Sequence, residues 1–200
     1  GMLEKLMQRL FKETVGADLA LPFQRLTYAE AMGRYGSDKP DLRFGLELIE
    51  MNDIVAGSGV KVFASVIEKG GEVKCLNAKG CGTWTRKEID DLGPYAARYG
   101  AKGLAWIQVK DGEFKGPIVK FFSEEEIAAV KERTGAEEGD LLLFSADNKK
   151  VVADVLGALR VKIGRQLGLI DDNVFKFAWV TDFPLLGYDE EQKRYVAEHH

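Results

Sequence analysis

At three points ahead of a helical apolar stripe, a hydroxyl residue is followed three positions later by a glutamate: Thr27 with Glu30, Thr85 with Glu88, and Ser123 with Glu126. In a capping box the hydroxyl accepts the backbone N–H three residues on, while the glutamate accepts the N–H of the cap residue itself, so each pair marks where a helix begins. Between these starts lie short apolar stretches bounded by Gly, Pro or Asp-Gly, the pattern of strands. A chain that alternates in this way is α+β.

The remaining elements follow from apolar spacing. Leu3, Leu6, Met7, Leu10 and Phe11 predict one amphipathic helix over Met2–Phe11, ended by Gly16 and the Leu21-Pro22 turn. The helix after Thr27 carries Tyr28, Ala31 and Met32 toward a core. From Tyr35 to Phe44 the chain must be a loop, because Gly36 is free to take positive φ and Pro40 lacks a donor. Ser37, Asp38 and Asp41 order such a loop by bonding nearby amides, leaving Lys39 and Arg43 as cationic arms over a well-capped, solvated connection.

Leu46–Ile49 reads as a short strand, closed by Gly57-Ser58-Gly59. Val60 to Ile67 alternates and predicts a strand, turned by Gly70-Gly71 into a hairpin with Val73–Leu76. Ile89, Leu92, Ala96 and Tyr99 mark a helical stripe divided at Gly93-Pro94. Leu104–Val109 turns at Asp111-Gly112 toward a second strand over Pro117–Phe122. The helix after Ser123 stops near Gly135, and a strand over Leu141–Ser145 follows. Val152, Leu156, Leu159, Ile163 and Leu167 line one long helix from about Asn148 to Gly168. Phe175–Val180 reads as a buried strand, Tyr188–Gln192 as a charged turn, and Arg194–Ala197 as a strand pairing back on the one before.

Composition excludes several classes. No run of about 18 apolar residues is present to span a membrane. The start of the chain lacks the basic-then-apolar layout of a signal peptide, and Gly1 before Met2 reads as a cloning remnant. The net charge is −4, which argues against a surface gripping RNA throughout. Cys75 and Cys81 have neither redox nor zinc spacing and read as free thiols of a reducing compartment.

The chemistry-bearing residues are sparse. No phosphate-cradling glycine motif is present, and the only histidines are His199 and His200. Glu124, Glu125 and Glu126 read as the acidic first turn of a helix. Trp84, Trp106 and Trp179 read as packing rather than a base-stacking platform. Arg86, Lys87, Lys149, Lys150, Arg160, Lys162 and Arg165 offer a weak RNA-facing patch, which solvated helix faces explain more cheaply.

Several stretches nevertheless carry a specific resemblance. Leu21-Pro22-Phe23-Gln24-Arg25-Leu26-Thr27-Tyr28-Ala29-Glu30-Ala31-Met32 with Tyr35-Gly36-Ser37-Asp38-Lys39-Pro40-Asp41-Leu42-Arg43-Phe44 resembles the catalytic domain of bacterial-type aspartyl-tRNA synthetases, just after their second class II motif. Thr85–Leu92 and Gly100–Ile107 resemble that family's insertion, the GAD domain. Phe175–Pro184 and the closing His199-His200 resemble the return to the catalytic core.

The resemblance implies a fold and a function. Residues 1–50 are then a catalytic-domain remnant, 51–170 the GAD insertion and 171–200 the return segment. The insertion is expected to be a two-layer, antiparallel α+β sandwich with helices on one face (GAD/DCoH-like), flanked by partial class II catalytic segments. The parent would be a cytoplasmic, homodimeric aspartate–tRNA ligase that uses ATP and Mg2+ to activate aspartate and transfers it to tRNA(Asp). By the same resemblance His199 contacts the bound aspartate; read alone, the histidine pair is equally a purification remnant or a frayed end. The ATP motifs fall outside the chain, so no catalytic or metal-ligating residue is assigned, no cofactor is expected on this piece, and it is expected to be inactive alone. Its insertion is read as a noncatalytic interaction or positioning module. The alternatives are a GAD-containing subunit of an archaeal glutamyl-tRNA amidotransferase, which accounts for Val60–Leu167 but not the flanks, and a stand-alone binding module.

Overall fold

The computed structural model describes residues 1–189 and 192–197 of the chain. In chain order the elements are α1 (Met2–Thr14), β1 (Gln24–Thr27), α2 (Tyr28–Tyr35), β2 (Leu48–Glu50), α3 (Asn52–Val55), α4 (Lys61–Glu68), β3 (Glu72–Ala78), α5 (Arg86–Asp90), α6 (Leu92–Ala97), β4 (Ala105–Lys110) and β5 (Glu113–Lys115). They continue with α7 (Glu124–Thr134), β6 (Leu141–Asp147), α8 (Lys149–Gln166), β7 (Ala178–Thr181), β8 (Leu186–Asp189) and β9 (Arg194–Ala197). All three capping boxes form, and the glutamates of α2, α5 and α7 accept the cap N–H at 2.7, 2.7 and 2.8 Å.

The centre is an antiparallel five-stranded sheet in the order β2-β3-β6-β4-β5. Its pleat sends alternate side chains to opposite faces. On one face Leu76, Ala78, Trp106, Leu141 and Leu143 pack against Ile89, Leu92 and Ala96 of α5 and α6 and against Val152, Leu156, Leu159 and Ile163 of α8. On the other, Val73, Cys75, Ile107, Val109, Leu142 and Phe144 meet Val55 of α3, Phe63 of α4 and Val130 of α7. Helices therefore cover both faces, and the expected two-layer arrangement with helices on one face is corrected to three layers. The clue lies in β6, whose Leu141–Phe144 run is apolar on both sides, as buried strands require.

The third layer comes largely from a misread period. The stretch Val60–Ile67 enters helix α4 (Lys61–Glu68), with Val60 just before its first turn, and is not a strand. Its alternation also satisfies helical spacing, with Val60 and Phe63 buried three residues apart. Both edges of β3 are already taken, by β2 and β6, so no ladder was open to it. Gly70-Gly71 is correspondingly a helix terminus rather than a hairpin turn, with N–H groups closing on Ile67 O and Val66 O at 2.9 Å. α3 was not foreseen.

Other differences are smaller. Asp111 and Gly112 turn the β4–β5 hairpin with φ of 59° and 75°, but β5 begins at once and Val119–Phe121 is a 3-10 turn. The strand expected over Phe175–Val180 is limited to β7, which is only partly buried and pairs in parallel with β1, Gln24 opposite Ala178 and Thr27 opposite Thr181. Arg194–Ala197 does pair back, though on β8 rather than β7. Glu190 and Glu191 of the expected charged turn lie outside the described residues.

The flanks hold together through β1 and β7 and through aromatic packing. Phe11 meets Phe175 and Phe177 edge-on at 5.1 and 5.0 Å, and Phe23 stacks on Phe177 at 5.2 Å. Trp179 Nε1 donates to Glu4 Oε1 of α1 at 2.9 Å. The outer face of α1 is bare, with Leu3, Leu6 and Leu10 exposed.

Candidate functional site

The loop from Gly36 to Glu47 joins the flanks to the five-stranded domain, and α8 grips it. Gly36 ends α2 with a left-handed φ of 69°. There it lies so close to the helix that a Cβ on Gly157 would come 2.7 Å from Gly36 O. One turn on, Arg160 enters the loop. Its Nε donates to Leu46 O at 3.1 Å, and its Nη2 donates to Asp41 O, Phe44 O and Gly45 O at 2.8, 2.9 and 2.8 Å. The guanidinium lies 4.9 Å from the Tyr35 ring centre and 4.1 Å from that of Phe44.

Arg160 is 1% exposed. Burial draws its pKa down, opposed by the charge of Asp41, but guanidinium titrates far too high to lose its proton. A buried charge with no paired carboxylate costs several kcal/mol, so carbonyl dipoles must surround it. The loop supplies four, and its conformation is thereby determined. This corrects the reading of Arg160 as part of an RNA-facing patch. The sequence signal was present: Arg160 stands among Leu156, Leu159 and Ile163, with Gly157 and Gly164 on the same helical face.

Arg43, expected as a free cationic arm, is also committed. It donates to both oxygens of Asp41, at 3.0 and 2.8 Å, and to Asp172 Oδ1 at 3.1 Å. These bonds from Arg43 hold the Asp41 carboxyl below the usual range. Arg34 forms a two-bond fork with Glu47, 2.8 Å each, and the Tyr35 hydroxyl donates to the same carboxylate. Lys74 of β3 reaches Gly33 O at 3.1 Å. By contrast, the side chains of Asp38 and Lys39 at the loop's tip make no ion pair among the described residues. Ser37 Oγ accepts the Lys39 N–H at 3.1 Å and shapes that tip.

The other expected residues are scattered. Arg86 pairs with Asp90 and lies over the Trp106 ring, Lys150 pairs with Asp154, and Lys162 lies over Tyr95. They occupy separate helix faces. Glu126 serves its capping box, and Trp84 and Trp106 pack on the core. Cys75 and Cys81 are free and buried; burial pushes the Cys75 thiol well above its ordinary range and Cys81 up to about 11, so neither is a ready nucleophile. No three His, Cys, Asp or Glu residues cluster to hold a metal among the described residues. His199 and His200 lie outside them.

A groove of about 680 Å³ opens between α4 and the adjacent ends of β4 and β6. Phe63, Val66, Leu104 and Phe144 line it, with Lys69 and the 2.9 Å Lys102–Asp147 pair at its polar side. It was not foreseen, because it depends on Val60–Ile67 being helical.

A GAD-domain family model matches residues 63–156. The chain is 58% identical to an aspartate–tRNA ligase of Halalkalibacterium halodurans, 56% to an aspartate–tRNA(Asp/Asn) ligase of Desulfatibacillum aliphaticivorans and 55% to an aspartate–tRNA ligase of Geobacillus kaustophilus. Each match covers all of this chain and 34% of the relative, so the chain spans about a third of the length of the curated relatives it matches. Over its whole length the chain is thus similar to the GAD-containing segment of bacterial aspartate–tRNA ligases.

Proposed function

We propose that the chain is a working part of an aspartate–tRNA ligase whose whole protein activates aspartate with ATP and transfers it to the 3′ end of tRNA(Asp). The observation that carries this reading is an overall identity of 55–58% in alignments that cover the whole chain, flanks and insertion included. Residues 1–50 and 171–200 are class II catalytic-domain segments in this reading, and 51–170 is the GAD insertion. Pairing of β1 with β7 supports it, since the two flanks form one ladder across the intervening domain. The parent would be a cytoplasmic homodimer; among the described residues no helix is long and apolar enough to cross a membrane.

Among the described residues there is neither a glycine-rich phosphate cradle nor a cluster of metal-binding side chains, so the pocket for ATP and Mg2+ is assigned to other parts of the whole protein. His199 is proposed to hold aspartate by hydrogen bonding. The insertion is proposed to position rather than react, because its two thiols are buried and, among the described residues, it gathers no cluster of metal-binding side chains.

The test is aspartate-dependent ATP–pyrophosphate exchange by this chain and by the full-length protein. Activity in the full-length protein alone is expected. His199→Ala in that protein should raise KM for aspartate at least tenfold. Exchange by the isolated chain, or none by either, would overturn the reading.

A further inference from the structure

We propose that Arg160 is a positioning residue, through which α8 sets the place of the Ser37–Pro40 turn so that Lys39 meets a phosphate group of the substrate. The inference rests on the aspartate–tRNA ligase reading.

Three observations carry it. First, one face of α8, at Gly157, Arg160 and Gly164, is shaped to the loop. A Cβ on Gly157 would strike Gly36 O, and one on Gly164 would come 2.7 Å from the Phe44 ring. Second, the loop is fixed at further points that do not involve α8: Arg34 on Glu47, and Arg43 on Asp41 and Asp172. Third, this anchoring stops at the tip. Among the described residues the Lys39 ammonium has no carboxylate partner, and its backbone is held by Ser37.

An exposed lysine is ordinarily just solvated. Here it stands on a turn whose base is held by four carbonyl bonds to one buried guanidinium. A cation held in place before its ligand arrives loses little freedom on binding, which is how a contact comes to act on affinity and rate. In the proposed reaction phosphate comes from ATP or from the RNA 3′ end. Activation requires only the first, and transfer requires both.

The experiment uses the full-length protein carrying Arg160→Met, Arg160→Lys, Lys39→Met, or Arg160→Met with Lys39→Met. Pyrophosphate exchange and transfer to RNA are measured with kcat and KM separated, alongside amide hydrogen exchange of residues 36–46. Lys39→Met and Arg160→Met should each lower kcat/KM at least tenfold in the same assay. The double variant should fall no further than the worse single one, because both remove one contact. Arg160→Met should speed amide exchange in the loop at least tenfold, and Arg160→Lys, keeping the charge and three donors, should recover part of both effects. Loss already in pyrophosphate exchange assigns the phosphate to ATP; loss confined to transfer assigns it to RNA.

A loosened loop with kinetics within twofold of wild type would overturn the proposal, as would full additivity of the two substitutions. If Arg160→Met does not fold, Gly157→Ala displaces the loop with the guanidinium intact and must reproduce the same kinetic loss. A wild-type protein inactive in pyrophosphate exchange overturns the synthetase reading and the phosphate contact with it, whereas loop exchange still reports separately on whether Arg160 holds the turn.

Discussion

Replacing Asp140 with alanine removes the hub that ties the start of β6 to two loops. The carboxylate is 4% exposed. Its Oδ2 accepts Asn77 Nδ2 and the Glu137 N–H, both at 3.1 Å, and its Oδ1 accepts the Gly80 N–H at 3.1 Å. Lys79 Nζ lies 3.5 Å away. Hydrogen bonds to a charged acceptor contribute about 1.5–3 kcal/mol each where water cannot replace them. The Asn77 amide is buried and keeps Thr134 O as its other partner, whereas the Gly80 and Glu137 amides are only partly buried and water can reach them. Counting one bond in full and two at reduced weight gives a loss of about 3–4 kcal/mol, or roughly 6–16 °C in Tm for a chain of this size. Thermal unfolding followed by circular dichroism measures it. A shift under about 2 °C would refute the reasoning.

The pH dependence of the same comparison is a second check. Burial opposes ionisation of Asp140, but the Glu137 and Gly80 N–H groups, Asn77 and the charge of Lys79 outweigh it and hold the pKa below its ordinary value. A depressed folded-state pKa means stability that is fully present above the unfolded value, about 3.9, and is lost as pH falls through the lower folded value. The gap between wild type and Asp140→Ala should therefore be widest near neutrality and close on acidification below about pH 4. Asp41, Glu47 and Asp147 are depressed in the same direction, but both proteins share them and their contribution cancels. A gap that widens on acidification contradicts the assignment.

Ser123→Ala removes the hydroxyl that accepts the Glu126 N–H at 3.2 Å and should cost about 1 kcal/mol, seen as a drop of roughly 2–4 °C in Tm. Gly36→Ala combines a left-handed φ of 69° with a Cβ pressed onto Ala153 O, and should destabilise by more than about 2 kcal/mol in urea unfolding. Cys75 should resist a thiol-reactive disulfide reagent at pH 8 in the folded protein and react within seconds once denaturant is added; rapid reaction when folded would contradict its burial.

Much of the fold was legible where local chemistry decides. Thr27, Thr85 and Ser123 set their helices within the capping turn itself, and Asp111-Gly112 supplies a turn few other pairs allow. Val60–Ile67 was not legible because its apolar residues, half of the eight being Val or Ile, fit both periods. The choice was made elsewhere, by β2 and β6 occupying both edges of β3. The site was less legible still. Arg160 bonds to carbonyls 114 to 119 residues away, and backbone oxygens leave no trace in a sequence. Only the conflict of a guanidinium among Leu156, Leu159 and Ile163 marked it out.

That long-range bonding bears on how a domain of this size sits between two flanks. β1 and β7 form one parallel ladder, so residues 24–27 and 178–181 lie side by side with everything between them looped out. Such a ladder survives only if the two ends of the looped segment come back to one place. Arg43 pairs with Asp172 where the chain leaves and rejoins the flanks, and Arg160 binds the outgoing loop from the last helix before the return. A flexible closure of more than a hundred residues would cost several kcal/mol of chain entropy and leave the domain free to swing. Two arginines at the junction restrain that freedom. If both contacts are needed, Asp172→Ala should speed amide exchange of residues 40–46, and adding Arg160→Met should speed it further, whereas a domain held by packing alone would respond to neither.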